Sequence, residues 1–131
     1  MRAAAQLLTA DTAATSRRPT AIMRQVVGLQ AQLLSAAALG MRVRSTGLRA
    51  TDANQALNGD RSIVRTWLMR GTLHLVAADD VRWLVQLLGP VFARAGAARH
   101  TQLGLDDDLK TRGVAALRRI LADAEIGRAH V

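Results

Sequence analysis

One stretch of the chain, residues 62–76, differs in character from the sequence around it. Two runs rich in β-branched and aromatic residues, 62–69 and 72–76, flank the pair Arg70-Gly71. Such residues favour a pleated strand, and a glycine between two runs favours a tight turn, so this stretch predicts a β-hairpin. Elsewhere the apolar spacing is helical, and an aromatic content of only 2% requires a core of Ala, Leu and Val. The expected fold is mainly α with a small β-hairpin.

The segments on either side of the hairpin have apolar side chains at helical spacing. The predicted helices cover residues 2–10, 19–29, 35–43 and 51–58 before the hairpin, and residues 79–88, 91–102 and 106–124 after it. We expect a break at Gly89-Pro90, and we expect the acids at 106–108 to cap the last helix rather than bind a metal.

Helices followed by a hairpin within 76 residues are the outline of a winged helix, a relative of the helix-turn-helix. We therefore predict one winged-helix unit in residues 1–76. Residues 77–124 would begin a second, tandem unit of the same kind.

Positive charge is concentrated in the first 76 residues. The chain has 18 basic and 10 acidic residues, a net charge of +8. Residues 1–76 hold ten Arg and three Asp, a net charge of +7. A concentrated positive segment attracts a polyanion, because each neutralised phosphate releases condensed counterions. This distribution predicts a polyanionic partner, which together with the winged-helix outline we expect to be double-stranded DNA; the alternative is an ordinary solvated basic surface.

Several classes of function are disfavoured by residue content. Cysteine is absent, so disulfides, thiol nucleophiles and thiolate metal sites are excluded for this sequence. The three histidines, His74, His100 and His130, lack ligand-like spacing, and we expect no metal. Gly40 and Gly47 do not form a phosphate-binding loop, so we expect no nucleotide or other cofactor. No apolar run approaches the roughly 18 residues of a membrane span, and we expect no membrane partner and a cytoplasmic, nucleoid-associated location.

Two segments together resemble a known family. They are residues 27–32, VGLQAQ, and residues 65–76, RTWLMRGTLHLV. Over about residues 19–109 the chain resembles the winged-helix DNA glycosylases that unhook interstrand crosslinks, the azinomycin-resistance glycosylase family. The resemblance implies three tandem winged helices that embrace DNA, of which this sequence would be an N-terminal fragment.

The triplet Gln30-Ala31-Gln32 fits the Gln-apolar-Gln catalytic motif of that family. The resemblance implies that both amides face the glycosidic bond of a damaged nucleotide. An amide does not titrate near neutrality, but it can accept a hydrogen bond from water and donate one to a developing charge. Side chains at i and i+2 point the same way in extended or turn backbone, which favours a helix end here. The alternative is that both glutamines merely satisfy backbone groups at that end.

The function implied by the resemblance is hydrolytic, monofunctional DNA glycosylase activity that releases N7-alkylated or crosslinked purines. A purine alkylated at N7 is already a cationic leaving group, so cleavage needs little acid assistance. A lyase would need an amine to form a Schiff base, and Lys110 is the only lysine. The alternatives are a non-catalytic winged-helix transcriptional regulator and, less well supported, a helical protein that binds a small molecule.

Four arginines are the candidate DNA contacts. Arg65 and Arg70 flank the hairpin turn and could reach phosphates or the minor groove, as wings often do. Arg42 and Arg44, at the end of the third predicted helix, are the other two candidates. Trp67 is expected in the core rather than as a wedge between bases.

Two further expectations concern His74 and the end of the chain. His74 alternates with leucines on the hairpin, so we expect a strand-face or hydrogen-bonding role rather than catalysis. Residues 125–131, EIGRAHV, correspond to a translation of gagatcggaagagcacacgtc, which resembles a common sequencing adapter. We expect this segment to be an assembly artefact and give it no functional role.

Overall fold

The computed structural model describes residues 2–9 and 18–122. His130 and the segment 125–131, which is expected to be an artefact, lie outside the described residues. The chain divides into two compact units, one ending at residue 92 and one beginning at residue 93, and each is described by itself. The predicted division into winged-helix units at residue 76 stays a prediction. Among the described helices, none has both the length and the apolar character to span a membrane.

Short helices precede the hairpin in the first unit. They are α1 (Arg2–Ala5), α2 (Pro19–Val26), α3 (Leu34–Arg42) and α4 (Ala50–Asn54), which continues into a π-helical turn, Gln55–Gly59. Pro19 lies in the first turn of α2, where its missing N–H has no helical acceptor to lose. Val27 adopts a left-handed conformation, with φ 64°. Because such a residue cannot continue a right-handed helix, α2 ends at Val26 and not at the predicted Leu29.

Three strands form an antiparallel sheet in which the last strand in chain order is central. The strands are β1 (Leu29–Gln30), β2 (Ile63–Leu68) and β3 (Thr72–Ala77). β2 and β3 are the predicted hairpin, joined by a short 3₁₀ turn, Met69–Gly71. β1 was not predicted, because a two-residue strand that pairs with a distant segment has no local periodicity.

The sheet buries side chains on both faces. Ile63 and Leu75 belong to the main core, while Leu68 and Val76 pack on the opposite face against Leu84. The helices contribute these buried residues to the main core: Ile22, Met23, Val26, Ala37, Met41 and Ala53. The mainly α architecture with a small antiparallel sheet, of the winged-helix type, is therefore confirmed.

The prediction that Trp67 is a core residue is wrong. Its side chain is 65% exposed, although it lies beside Leu68, which is buried. Neighbouring residues in a strand point to opposite faces, so only one of the two can face Leu84. Leu68 takes that place, and Trp67 points to the face that carries Ile63, where it remains in solvent because it lies at the hairpin end of an outer strand.

The helix that follows the sheet is longer than predicted. A 3₁₀ turn, Ala78–Asp80, leads into α5 (Val81–Ala95). This helix contains Pro90 in its interior, so the expected break at Gly89-Pro90 is wrong. A proline ring clashes with the Cβ of the residue before it, and Gly89 has none, so this part of the steric cost is absent. The missing N–H and the contact of the ring with the carbonyl four residues earlier must still be tolerated.

The second unit contains two further helices, α6 (Ala97–Gln102) and α7 (Asp107–Ala122). The Asp106 carboxylate accepts a hydrogen bond from the Leu109 N–H at 2.7 Å, which confirms the predicted capping role. The apolar side chains of α7 include four that are exposed: Val114, Leu117, Ile120 and Leu121.

Candidate active site

The two predicted catalytic glutamines lie side by side at the outer edge of the sheet. Gln30 ends β1, and Ala31 continues the pairing through its N–H, which donates to the Leu73 carbonyl at 2.7 Å. Ala31 is fully buried, whereas Gln30 and Gln32 are exposed. In this extended backbone the apolar residue anchors the segment and both amides project on the same side. The expected extended or turn geometry is present: Gln30 ends β1, and Gln32 lies in a bend two residues before α3 begins.

A direct hydrogen bond joins the two amides. The Gln30 Nε2 donates to the Gln32 Oε1 at 2.6 Å. This bond leaves the Gln30 Oε1 as an acceptor and the Gln32 Nε2 as a donor of two hydrogens. The pair can therefore accept a hydrogen bond from one group and donate a hydrogen bond to another. Each side-chain amide also restrains the rotation of the other.

Arg65 contacts the glutamine segment. Its Nε donates to the Ala31 carbonyl and its Nη2 to the Gln32 carbonyl, both at 2.9 Å. The side chain, which extends from β2, is only half-buried. Sequence reasoning assigned Arg65 to DNA and missed this contact, because the two segments are far apart in the chain and no local pattern connects them.

The other three predicted DNA contacts differ in accessibility. Arg70 lies at the hairpin turn and Arg42 in the last turn of α3, and both are exposed. Arg44 is buried, with its Nη1 donating to the Gly40 carbonyl at 2.7 Å. Burial lowers the pKa of the Arg44 guanidinium, although an arginine remains charged at neutral pH. Arg42 and Arg70 thus present positive charge to solvent, while Arg44 caps the end of its own helix.

His74 is the cross-strand partner of Gln30, a relation that sequence reasoning did not find. It pairs with Gln30 on one side and with Thr66 on the other, so the three residues form a row across the sheet. The ring is buried, and its Nδ1 lies 2.9 Å from the Thr72 carbonyl. The expected hydrogen-bonding role is therefore present. In the described residues, no group of three or more His, Asp or Glu is placed to hold a metal ion.

The fold defines a class of protein. The helices α2 to α4 precede the β2–β3 hairpin, and β1 adds a third strand to it, which is an arrangement of the winged-helix type. The chain belongs to the AlkZ-like DNA glycosylases: the family model described as DNA glycosylase AlkZ-like matches residues 23–130. The resemblance carried by the two motifs is thereby confirmed.

A solved structure supports the same assignment. The DNA glycosylase AlkZ of Streptomyces sahachiroi is 30% identical to this chain, with a TM-score of 0.54. The match covers 60% of this chain and 20% of that protein, so the chain spans about a fifth of the length of its structural relative. No curated protein matches the chain in sequence.

Proposed function

We propose that this chain is part of a monofunctional, hydrolytic DNA glycosylase that releases N7-alkylated or crosslinked purine bases. The observation that carries the proposal is the pair of exposed amides, Gln30 and Gln32, joined by a hydrogen bond and fixed to the sheet by the buried Ala31. Membership of the AlkZ-like family and the similarity to an AlkZ structure support it.

The proposed reaction is hydrolysis at the sugar carbon C1′. The bond between C1′ and N9 breaks, and its electron pair neutralises the cationic alkylpurine as it leaves. The sugar passes through an oxocarbenium-like state. The oxygen of water then forms the new bond to C1′, and the released proton passes to solvent.

The roles of the glutamines follow from their hydrogen bond. The Gln30 Oε1 accepts from the attacking water and orients its oxygen toward C1′, while the Gln32 Nε2 donates to the nucleotide. Because an amide oxygen holds no proton near neutrality, the pair acts through orientation and fixed dipoles. Since Lys110 is the only lysine in the chain, we propose hydrolysis rather than lyase chemistry through a Schiff base.

Binding to duplex DNA would involve the exposed arginines. Arg70 at the hairpin turn and Arg42 at the end of α3 are the residues that we propose contact phosphates. We do not include Arg44, because its side chain is buried against its own helix. The proposed substrate would place the enzyme on chromosomal DNA in the cytoplasm.

The test is base release by Gln30→Ala and Gln32→Ala in the full-length gene product. With duplex that carries an N7-alkylguanine, we expect each variant to lower the single-turnover rate by at least about a hundredfold, the usual effect of removing one preorganised polar group from an active site. DNA affinity should change little, because neither side chain is charged. Gln25→Ala is the matched control, since it removes an exposed amide from α2 in the same unit.

Each outcome separates the candidate functions. If Gln30→Ala and Gln32→Ala each release the base at the wild-type rate, the catalytic assignment of the two glutamines is wrong. Sequence-selective binding without base release from any alkylated duplex would favour the winged-helix regulator. Absence of salt-sensitive DNA binding would leave only the small-molecule alternative.

A further inference from the structure

The carbonyls of the glutamine segment accept hydrogen bonds from a residue of another strand. Arg65 lies in β2, opposite Leu75 of the central strand, and its side chain reaches past β3 to the segment that follows β1. The Nε donates to the Ala31 carbonyl and the Nη2 to the Gln32 carbonyl. One planar group thus connects two consecutive peptide units.

This contact lies at the end of the regular pairing. β1 and β3 pair through Leu29 and Gln30, and the Ala31 N–H makes one more bond to β3. Beyond that bond, the two hydrogen bonds from Arg65 hold the peptide planes on either side of the Gln32 Cα. If the Gln32 backbone rotated, at least one of the two bonds would break, because the donors are held in a rigid fork.

We infer that Arg65 is a positioning residue. It holds the backbone of the glutamine segment so that the side-chain amides of Gln30 and Gln32 remain hydrogen-bonded to each other. The catalytic part of this inference rests on the proposed glycosylase function, whereas the structural part does not. Arg65 therefore differs from Arg70, which is exposed at the turn and makes no such connection to the segment.

The experiment combines hydrogen exchange with kinetics on the full-length gene product. In Arg65→Ala we expect faster amide exchange in peptides that cover residues 30–34. We also expect a tenfold to hundredfold lower single-turnover rate at saturating DNA, the order of loss that a displacement of about 1 Å can cause. The salt dependence of DNA binding should match the wild type. Arg65→Lys should resemble Arg65→Ala, because an ammonium lacks the fixed fork.

Arg70→Ala is the matched control for exchange and for binding. It should leave amide exchange in residues 30–34 at the wild-type level. It should also reduce the slope of the logarithm of the binding constant against the logarithm of the salt concentration by about one, as expected for one lost phosphate contact. If instead Arg65→Ala reduces the salt dependence as Arg70→Ala does and keeps the wild-type rate at saturating DNA, Arg65 contacts DNA and the inference is wrong.

Two more outcomes would overturn the inference. One is a folded Arg65→Lys variant with wild-type exchange and rate. The other is loss of the native fold throughout the protein in both Arg65 variants, which would make the residue structural only. Failure of the wild type to release any base would refute the proposed function alone, because the exchange measurement would still decide whether Arg65 holds the segment.

Discussion

Arg70→Gly is expected to raise stability and weaken DNA binding at the same time. Arg70 has φ 58° and ψ 21°, a left-handed conformation that costs a residue with a Cβ about 1–2 kcal/mol. Glycine avoids that cost but loses about 0.5–1 kcal/mol of additional backbone entropy on folding. The net gain in the free energy of unfolding should lie between about 0 and 1.5 kcal/mol, with a middle value of about 0.75 kcal/mol. If the exposed guanidinium neutralises one phosphate, its removal should reduce the slope of the logarithm of the binding constant against the logarithm of the salt concentration by about 0.9.

Arg70→Ala separates the backbone effect from the charge effect. Alanine removes the same charge but keeps a Cβ in the left-handed region, so we expect the same loss in salt dependence without the gain in stability. Urea denaturation of the three proteins measures the first effect, and binding to a short duplex across a range of salt concentrations measures the second. If Arg70→Gly is no more stable than Arg70→Ala, the reasoning about the turn is wrong. If neither variant alters the salt dependence, Arg70 does not contact phosphate.

Two other predictions concern α7. A Cβ added at Gly113 would meet no other atom within 4 Å, so Gly113→Ala should raise the free energy of unfolding of this helix by up to about 1 kcal/mol, and an unchanged urea midpoint would contradict this. We also expect the 131-residue chain expressed alone to self-associate through its exposed apolar side chains. Leu117→Gln combined with Ile120→Gln should then shift sedimentation toward the monomer, and an unaltered profile would show that another surface is responsible.

The parts of the fold that could be predicted are those with local signals. The hairpin was predicted because β-branched residues flank Arg70-Gly71, and both turn residues do have positive φ. The cap at Asp106 was predicted because acids precede a helical pattern. Such features depend on residues within one or two turns of each other, so a single sequence contains the information.

The errors arise where distant segments meet. Trp67 was expected in the core because of its hydrophobicity, but strand alternation turns it away from Leu84, and its place at the hairpin end of an outer strand leaves it in solvent. β1 escaped prediction because its pairing partner, β3, is far along the chain. The same limit applies to the row formed by Gln30, His74 and Thr66, which only the register of the strands creates.

The two arginines of the hairpin, Arg65 and Arg70, show that residue type alone does not determine whether an arginine contacts DNA. Arg65 and Arg70 are chemically identical and five positions apart, and both were assigned to DNA. Their surroundings differ: Arg70 occupies the turn and extends into solvent, while Arg65 lies within β2, where two backbone carbonyls accept its hydrogen bonds. A guanidinium committed to two carbonyls has fewer donors left for a phosphate. The positive charge of residues 1–76 is therefore an upper limit on the number of phosphate contacts, because part of it, at Arg44 and Arg65, serves to hold the protein backbone.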